Sequence, residues 1–549
     1  MKRFLTYFLF FAVRLFSQNV NLSEGELFDG EPYIAVNPTN AQNMVVAWMS
    51  MLPNGKIYVK TRNSFDGGKT WQSTVTLANA FPQATAADVS LAFNEQGEVF
   101  LSFINSNHRL DEGGVYIRKS TDGGTIWSDP VEAININADS GKFPIDRPWL
   151  CVDKSDGVFN GRIYLTTVNA KAAGNVSPPF HPYFVCSDDG EAFGELRYLD
   201  APNFWAGNVI RSPMPTPTVA SDGKFHAVYS SYVPSQNIFP RYILAKSSDG
   251  GDTFEYFPVY AQTHIVSDTL AKKGYLLRSD PSNAEHLAFV FLDEKFGDAD
   301  VNFTESFDGG ETWSEPKRIN DDEQGNGVMQ DLIWADFDND GDFAITWRDR
   351  RNGDGSGYAS DYEIYGSVRL NGASDFSSDF IISDTLLPYD PLLDRNGNDF
   401  MCVDFNNDTL NVVWGDMRNG KMNIWFQRVA VEDVVSVIPN DNSLENPNKF
   451  ALNRNYPNPF NLTTIISYSI SNVCVNTKNS AAQGIRHAVD VTLDVYNALG
   501  QKVATLVNKE QTAGNYSVLF DAGDLPSGIY FYTLHAYDFT ATKKMLLIK

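Results

Sequence analysis

The sequence of 549 residues predicts an all-β protein in which small sheets repeat, followed by a second, smaller β domain. Three observations predict it. A short turn element recurs five times at near-constant spacing. Aromatic residues reach 13%, beside 40 Gly and no long helical periodicity, a composition suited to short strands joined by many turns. Beyond residue 431 the chain turns rich in Asn and Pro before a new series of strands begins.

The repeated element is clearest at Ser306-Phe-Asp-Gly-Gly-Glu-Thr-Trp313. Ser64-Phe-Asp-Gly-Gly-Lys-Thr-Trp71 and Ser247-Ser-Asp-Gly-Gly-Asp-Thr-Phe254 are near copies. Ser120-Thr-Asp-Gly-Gly-Thr-Ile-Trp127 differs at Ile126, and Ser187-Asp-Asp-Gly-Glu-Ala-Phe193 is shortened. First residues lie 56, 67, 60 and 59 positions apart, the mark of an architectural repeat. The Asp accepts backbone N–H groups further along the turn, Gly permits positive φ, and the closing aromatic packs on a neighbour.

This element resembles the Asp-box, or BNR repeat, of sialidase-like β-propellers. The resemblance implies that each box joins the third and fourth strands of a blade, away from the ligand face. Asp66, Asp122, Asp189, Asp249 and Asp308 are then structural turn formers.

Strands precede each box. The first blade reads Tyr33–Val36, Met44–Trp48, Ile57–Lys60 and, after the box, Ser73–Leu77. The second reads Val89–Phe93, Val99–Phe103 and Val115–Arg118, and the third Pro148–Val152, Arg162–Thr166 and Tyr183–Val185. The fourth reads Thr216–Val219, Phe225–Tyr229 and Tyr242–Ala245, and the fifth Tyr275–Leu277, His286–Val290 and Val301–Phe303. Two units without boxes follow, Leu332–Trp334, Phe343–Trp347 and Glu363–Val368, then Phe400–Val403, Leu410–Trp414 and Asn423–Gln427. A propeller must close its ring or expose an edge. Gln18–Ser23 can supply the missing outer strand of the last unit, which favours seven blades. Six, the number in sialidase catalytic domains, stays open if one unit is an insertion.

Pro439–Asn455 reads as a linker. Beyond it, Asn455-Tyr-Pro-Asn-Pro-Phe-Asn461, Ile466–Ile470, Val491–Gly500, Gln501–Val507, Leu525–Tyr532 and Lys543–Lys549 suggest a small immunoglobulin-like β-sandwich of about seven strands. This stretch resembles the type A C-terminal sorting domain of the type IX secretion system of Bacteroidota. An insertion near Asn472–Ala488 departs from that pattern and lengthens a loop. The resemblance implies recognition by the type IX machinery and passage through the periplasm to the surface or the medium. Lys2 and Arg3, the apolar run Phe4–Phe16 and the small Ser17 read as a signal peptide. The expected domains are therefore 1–17 signal, 18–433 propeller, 434–454 linker and 455–549 sorting domain.

A net charge of −25 argues against nucleic-acid phosphate and anionic membrane partners, and no later stretch is apolar for long enough to span a bilayer. Cys151 and Cys186 fall in the first and third strands of one blade, about 9.5 Å apart, beyond the ~7 Å reach of a disulfide. Cys402 and Cys474 fall in different domains, so free thiols are expected.

Chemistry is expected around the channel mouth. Trp347-Arg-Asp-Arg-Arg-Asn-Gly353 parallels Trp414-Gly-Asp-Met-Arg-Asn-Gly420, which places Asp349, Arg351, Asp416 and Arg418 at the ends of second strands. First strands begin near Asp146-Arg147-Pro148, Arg278-Ser-Asp280 and Gln330-Asp331, and Arg211 precedes the fourth blade. Two readings fit: a polar pocket in which Arg grips a carboxylate and Asp serves as acid or base, or Asp–Arg pairs that fasten neighbouring loops. Sialidases carry an Arg-Ile-Pro element in the first blade, where this chain has Glu31-Pro-Tyr-Ile34, so no catalytic residue is transferred. Asp336, Asp338 and Asp340 match the start of a calcium loop, but Trp347 stands where an EF-hand has Glu; a turn and a weak calcium site both fit. Zinc-protease, phosphate-loop and Gly-x-Ser-x-Gly motifs are absent. The function expected is that of a secreted propeller binding a glycan or protein ligand. A sialidase-like hydrolase and a structural or adhesive surface protein are its alternatives.

Overall fold

A computed structural model describes residues 18–548 except 24, 26, 171–175, 264–273, 354–356, 390–397, 436–449 and, further on, 453–454, 456–459, 461, 472, 476–483, 487, 513, 524 and 538. The expected signal segment 1–17, most of the linker and the core of the Tyr456–Pro459 motif lie outside the described residues. The chain divides into two compact units, residues 1–435 and 436–549.

Among the described residues, the first unit holds seven four-stranded antiparallel sheets. The first six follow chain order, their first strands being Phe28–Val36, Thr85–Phe93, Asp146–Val152, Thr216–Val219, Tyr275–Ser279 and Gln330–Phe337. The seventh sheet is composite: Cys402–Phe405, Thr409–Asp416 and Asn423–Ala430 take their fourth strand from Val20–Asn21, in register Val20↔Phe426 and Asn21↔Trp425. Each first strand packs against the next, and Cys402–Phe405 packs against Phe28–Val36, so the order of neighbours is cyclic. The result is a propeller-like all-β arrangement.

Burial follows the order of strands within each sheet. Second strands such as Met44–Met51, Val99–Ser106 and Thr409–Asp416 are buried almost throughout, whereas the outer Arg197–Tyr198 is exposed. A strand covered on both faces cannot alternate polar and apolar residues, which explains continuous runs such as Met44-Val-Val-Ala-Trp48. Trp48, Trp347 and Trp414 of these strands are among the largest fully buried side chains.

The five repeated turns follow the third strands and pack backwards onto the preceding sheet. Asp66 Oδ1 accepts the Thr70 N–H at 2.8 Å and Oδ2 the Thr70 hydroxyl at 2.6 Å, while the Ser64 hydroxyl accepts the Gly68 N–H. Asp249 and Asp308 repeat both contacts with Thr253 and Thr312. Asp122 accepts from Thr125 and Ile126, and Asp189 from Glu191 and Ala192. The Thr70 hydroxyl and N–H hold the Asp66 carboxyl down at about 2. Glycine at the fifth place is a packing requirement: a Cβ on Gly310 (φ +91°) would lie 2.1 Å from Leu244 of the fourth sheet. The closing aromatics also reach back, Trp71 edge-on to Phe426 at 5.1 Å and Phe254 to Phe184 at 5.2 Å.

In the second unit, a three-stranded sheet (Ala451–Leu452, Thr463–Ile470, Gly514–Asp521) and a four-stranded sheet (Ala488–Asn497, Lys502–Thr512, Gly528–Ala536, Phe539–Leu547) share one apolar core. Ile466, Tyr468, Val491, Val495, Tyr532 and Leu547 are buried in it. The inserted stretch adds a short hairpin, Val473–Val475 with Gly484–Arg486. Cys151, Cys186 and Cys402 are free, and Tyr164 of the intervening strand lies between the first two.

Candidate functional site

The two Trp-x-Asp-x-Arg-Asn-Gly elements are built alike. Trp347 Nε1 donates to Asp349 at 2.9 Å and Trp414 Nε1 to Asp416 at 2.7 Å, and each carboxylate also accepts the N–H of the Arg two residues on. Arg351 then bonds Asp349 (2.8 Å), Asp379 (2.7 Å) and Asp321 (2.6 Å), its guanidinium 4.4 Å from the Tyr365 ring. Arg418 bonds Asp416, Asp384 and Asn19, with Trp425 at 4.0 Å. Burial works against the Arg351 charge, but its carboxylates prevail and hold the proton more tightly than usual. Burial and the facing Asp321 raise Asp379 to about 8. Both arginines are thus committed to the protein's own acids.

A second charged group lies among the first strands. In four of them the ladder shifts register around Glu31, Asp88, Arg147 and Leu332, each with positive φ. Pro32 and Pro148 cannot donate to the ladder, which favours a bulge at those places. The bulges bring Arg147 against Asp88, Glu31 and Asp146, and its guanidinium also pairs with Asp399. Burial opposes the Arg147 charge, yet Asp88, Asp146 and Glu31 raise its pKa. Nearby, Asp331 is fully buried and receives Arg348 Nε at 2.6 Å and Arg350 Nη1 at 3.1 Å. Glu31, Asp88, Arg348 and Arg350 escape sequence reasoning. Aligning the first strands on Tyr33, Trp149 and Trp334 would have put Glu31 and Arg147 in one layer.

Below this layer, aromatic rings fill the channel. Trp334 meets Tyr33 at 5.4 Å, Trp149 at 5.8 Å and Phe400 at 6.1 Å.

Beyond them opens a cavity of about 410 Å³, lined by residues of all seven first strands. Arg278 belongs here. The sequence suggests that it begins a first strand beside Arg147, but Tyr275–Ser279 places it next to last, so it faces the opposite end of the channel. Its Nε is 3.5 Å from Asp336 Oδ1, and its guanidinium lies over Trp334 at 5.5 Å. Asp404, Glu95, Lys154, Cys151 and Cys402 complete the charged and sulfur-bearing part of the wall. Burial and Asp336 push the Asp404 carboxyl up to about 7; burial raises Asp336 as well, against the pull of Arg278. Arg211 is exposed and forms no ion pair among the described residues. The seven mouth candidates therefore do not converge: Arg147, the Arg351 and Arg418 pairs, Arg278 and Arg211 occupy separate settings.

The calcium pattern is also redistributed. Asp336 faces the cavity, while Asp338 accepts the N–H groups of Asn407 and Asp408 at 2.9 and 2.5 Å. Only Asp340 of the three joins a cluster, with Asp342 and Asp408 within 4.8 Å. Burial, then neighbouring carboxylates, raise Asp342 and Asp408.

Residues 454–549 match the family described as the secretion system C-terminal sorting domain. The C-terminal unit is a sorting domain. The sorting domain indicates export to the cell surface or secretion, and implies an interaction with the type IX machinery. Among the described residues no helix is long and apolar enough to cross a membrane. No curated protein matches the chain in sequence. A protein of unknown function from Dyadobacter fermentans is similar in structure at 14% identity and TM-score 0.41, over 76% of this chain and 98% of that one. A mutant of the NanB sialidase from Streptococcus pneumoniae has 12% identity and TM-score 0.39, over 77% and 71%. The GH93 α-L-arabinofuranosidase of Fusarium graminearum, in complex with arabinobiose, has 13% identity and TM-score 0.39, over 76% and 99%.

Proposed function

We propose that the protein is an exported seven-bladed β-propeller that binds an extracellular ligand, glycan or protein, without hydrolysing it. Residues 1–17 are its signal peptide, 18–433 its propeller with Asp-box turns, 434–454 its linker, and 455–549 an immunoglobulin-like sorting domain. The cyclic order of the seven sheets and the closing strand Val20–Asn21 support the blade count. The observation that carries the function is the cavity of about 410 Å³, walled by Arg278, Asp336 and Asp404. That volume falls within the ~300–1,000 Å³ of small-ligand sites.

Binding is favoured over sialidase-like hydrolysis because Arg147, Arg351 and Arg418 each bond the protein's own carboxylates. A sialidase-like centre would present several guanidinium groups to one substrate. The test applies the full chain to a glycan array and to a fluorogenic sialoside. Retention of a subset of glycans without turnover is expected. Sialoside turnover abolished by Arg147→Ala would replace binding with hydrolysis.

A further inference from the structure

The class of ligand can be narrowed, on the reading that the cavity is the binding site. Asp336 and Asp404 are the next-to-last residues of adjacent first strands, Gln330–Phe337 and Cys402–Phe405, and both line the cavity. Each gives one oxygen to the sheet beyond: Asp336 Oδ2 accepts the Phe405 N–H at 3.1 Å, and Asp404 Oδ2 accepts the Val36 N–H at 2.9 Å. Asp336 Oδ1 makes a long contact to Arg278, and Asp404 Oδ1 has no hydrogen bond among the described residues. The wall thus sets three carboxylates, Asp336, Asp404 and Glu95, against the Arg278 guanidinium beside Asp336 and the exposed Lys154. Burial is the main cause of the raised proton affinity of Asp336 and Asp404, and at Asp404 the facing Asp336 adds to it.

A second, independent feature is Trp334. It lines the cavity at 2% exposure, and its indole N–H has no hydrogen-bond partner among the described residues. A buried donor of this kind calls for an oxygen. The volume suits an organic molecule rather than a bare ion, since one water occupies only ~30 Å³. No third carboxylate joins Asp336 and Asp404 in a metal-like cluster among the described residues.

We propose that the cavity binds a small organic ammonium ligand carrying oxygen acceptors, with its N–H groups divided between Asp336 and Asp404. An anion would meet two carboxylates, and an uncharged ligand would leave their repulsion in place. An ammonium group supplies the missing charge, and the Tyr33 and Trp334 rings beside it tolerate a cation. An ammonium group beside the two acids stabilises their ionised form, so binding lowers their proton affinity.

The experiment is calorimetric titration of the full chain at neutral pH with glucosamine and with lysine, using glucose and N-acetylglucosamine as uncharged counterparts. At least one amine should bind ~10-fold or more tightly than the uncharged sugars, and Asp404→Asn and Asp336→Asn should each weaken it by a similar factor. Both variants should keep the parent Tm, which separates a lost contact from a lost fold. The heat should differ between phosphate and Tris buffers, as proton release requires. Failure of both amines, equal binding of glucose, an unchanged Asp404→Asn, or stoichiometric displacement by calcium would each overturn the proposal. Glycan retention on the array that survives Asp404→Asn while the amines fail would sink the ammonium ligand and leave the wider reading standing.

Discussion

His286 shows how much one side chain can join in this ring. Its Nδ1 lies 2.8 Å from Asp280 and its Nε2 3.1 Å from Glu305, which in turn binds Arg369 of the next sheet at 2.7 Å. Phe307 of the fifth turn stacks on its ring at 4.4 Å. Burial disfavours the imidazolium, but the two carboxylates outweigh it and raise the pKa above 6.5. A raised value means that the stabilisation is complete below pH 6.5 and fades as the pH climbs through the folded pKa. His286→Ala should therefore cost about 2 kcal/mol in mildly acidic buffer and less in alkaline buffer. Urea unfolding across that range measures it; a penalty independent of pH would show that the charge does not matter. His286 closes a loop between strands with no motif to mark it. Through Glu305 the network reaches Arg369, 83 residues beyond His286, which is why the sequence does not reveal it.

At the scale of the element, the repeated turns are the most legible part of the chain. The hydrogen bonds of their Ser and Asp side chains are local, to groups within four residues, so the sequence alone contains that part of the device. Their packing onto the preceding sheet is less visible, because it depends on where Leu244 or Phe426 falls in another repeat. That contact makes a sharp contrast possible. Gly310→Ala should cost about 3 kcal/mol, combining a clash with Leu244 and an unfavourable positive φ. Gly420→Ala, at φ +80° with nothing within 4 Å of its Cβ, should cost about 1 kcal/mol from conformation alone. Equal losses in thermal or urea unfolding would mean that the turn does not bear on its neighbour. The charged residues were harder to place. Asp349 and Asp416 are legible at strand ends because their elements repeat, whereas the pattern puts Arg278 at the wrong end of a five-residue strand. Glu31 and Asp88 stayed hidden because a bulge, not the regular alternation, determines where they point.

Over the whole molecule, one end of the channel is filled by acids around Arg147, the middle by aromatic rings, and the other end is open as a cavity. The strands that build this were readable from patterning, and so was the closing role of Gln18–Ser23, since the last unit lacked an outer strand. Which groups would be spent on holding the ring together was not readable, because Asp–Arg pairs in a loop look the same whether they fasten or bind. Arg418 decides between those uses. It joins Asp416 at the end of the second strand to Asp384, and reaches Asn19 beside the closing strand Val20–Asn21. The most direct measurement is the urea unfolding free energy of Arg418→Met in the full chain. Fastening predicts a loss of about 3–5 kcal/mol, the cost of leaving buried carboxylates unpaired. A variant as stable as the parent that no longer retains its glycans would contradict it, and would return Arg418 to the binding site.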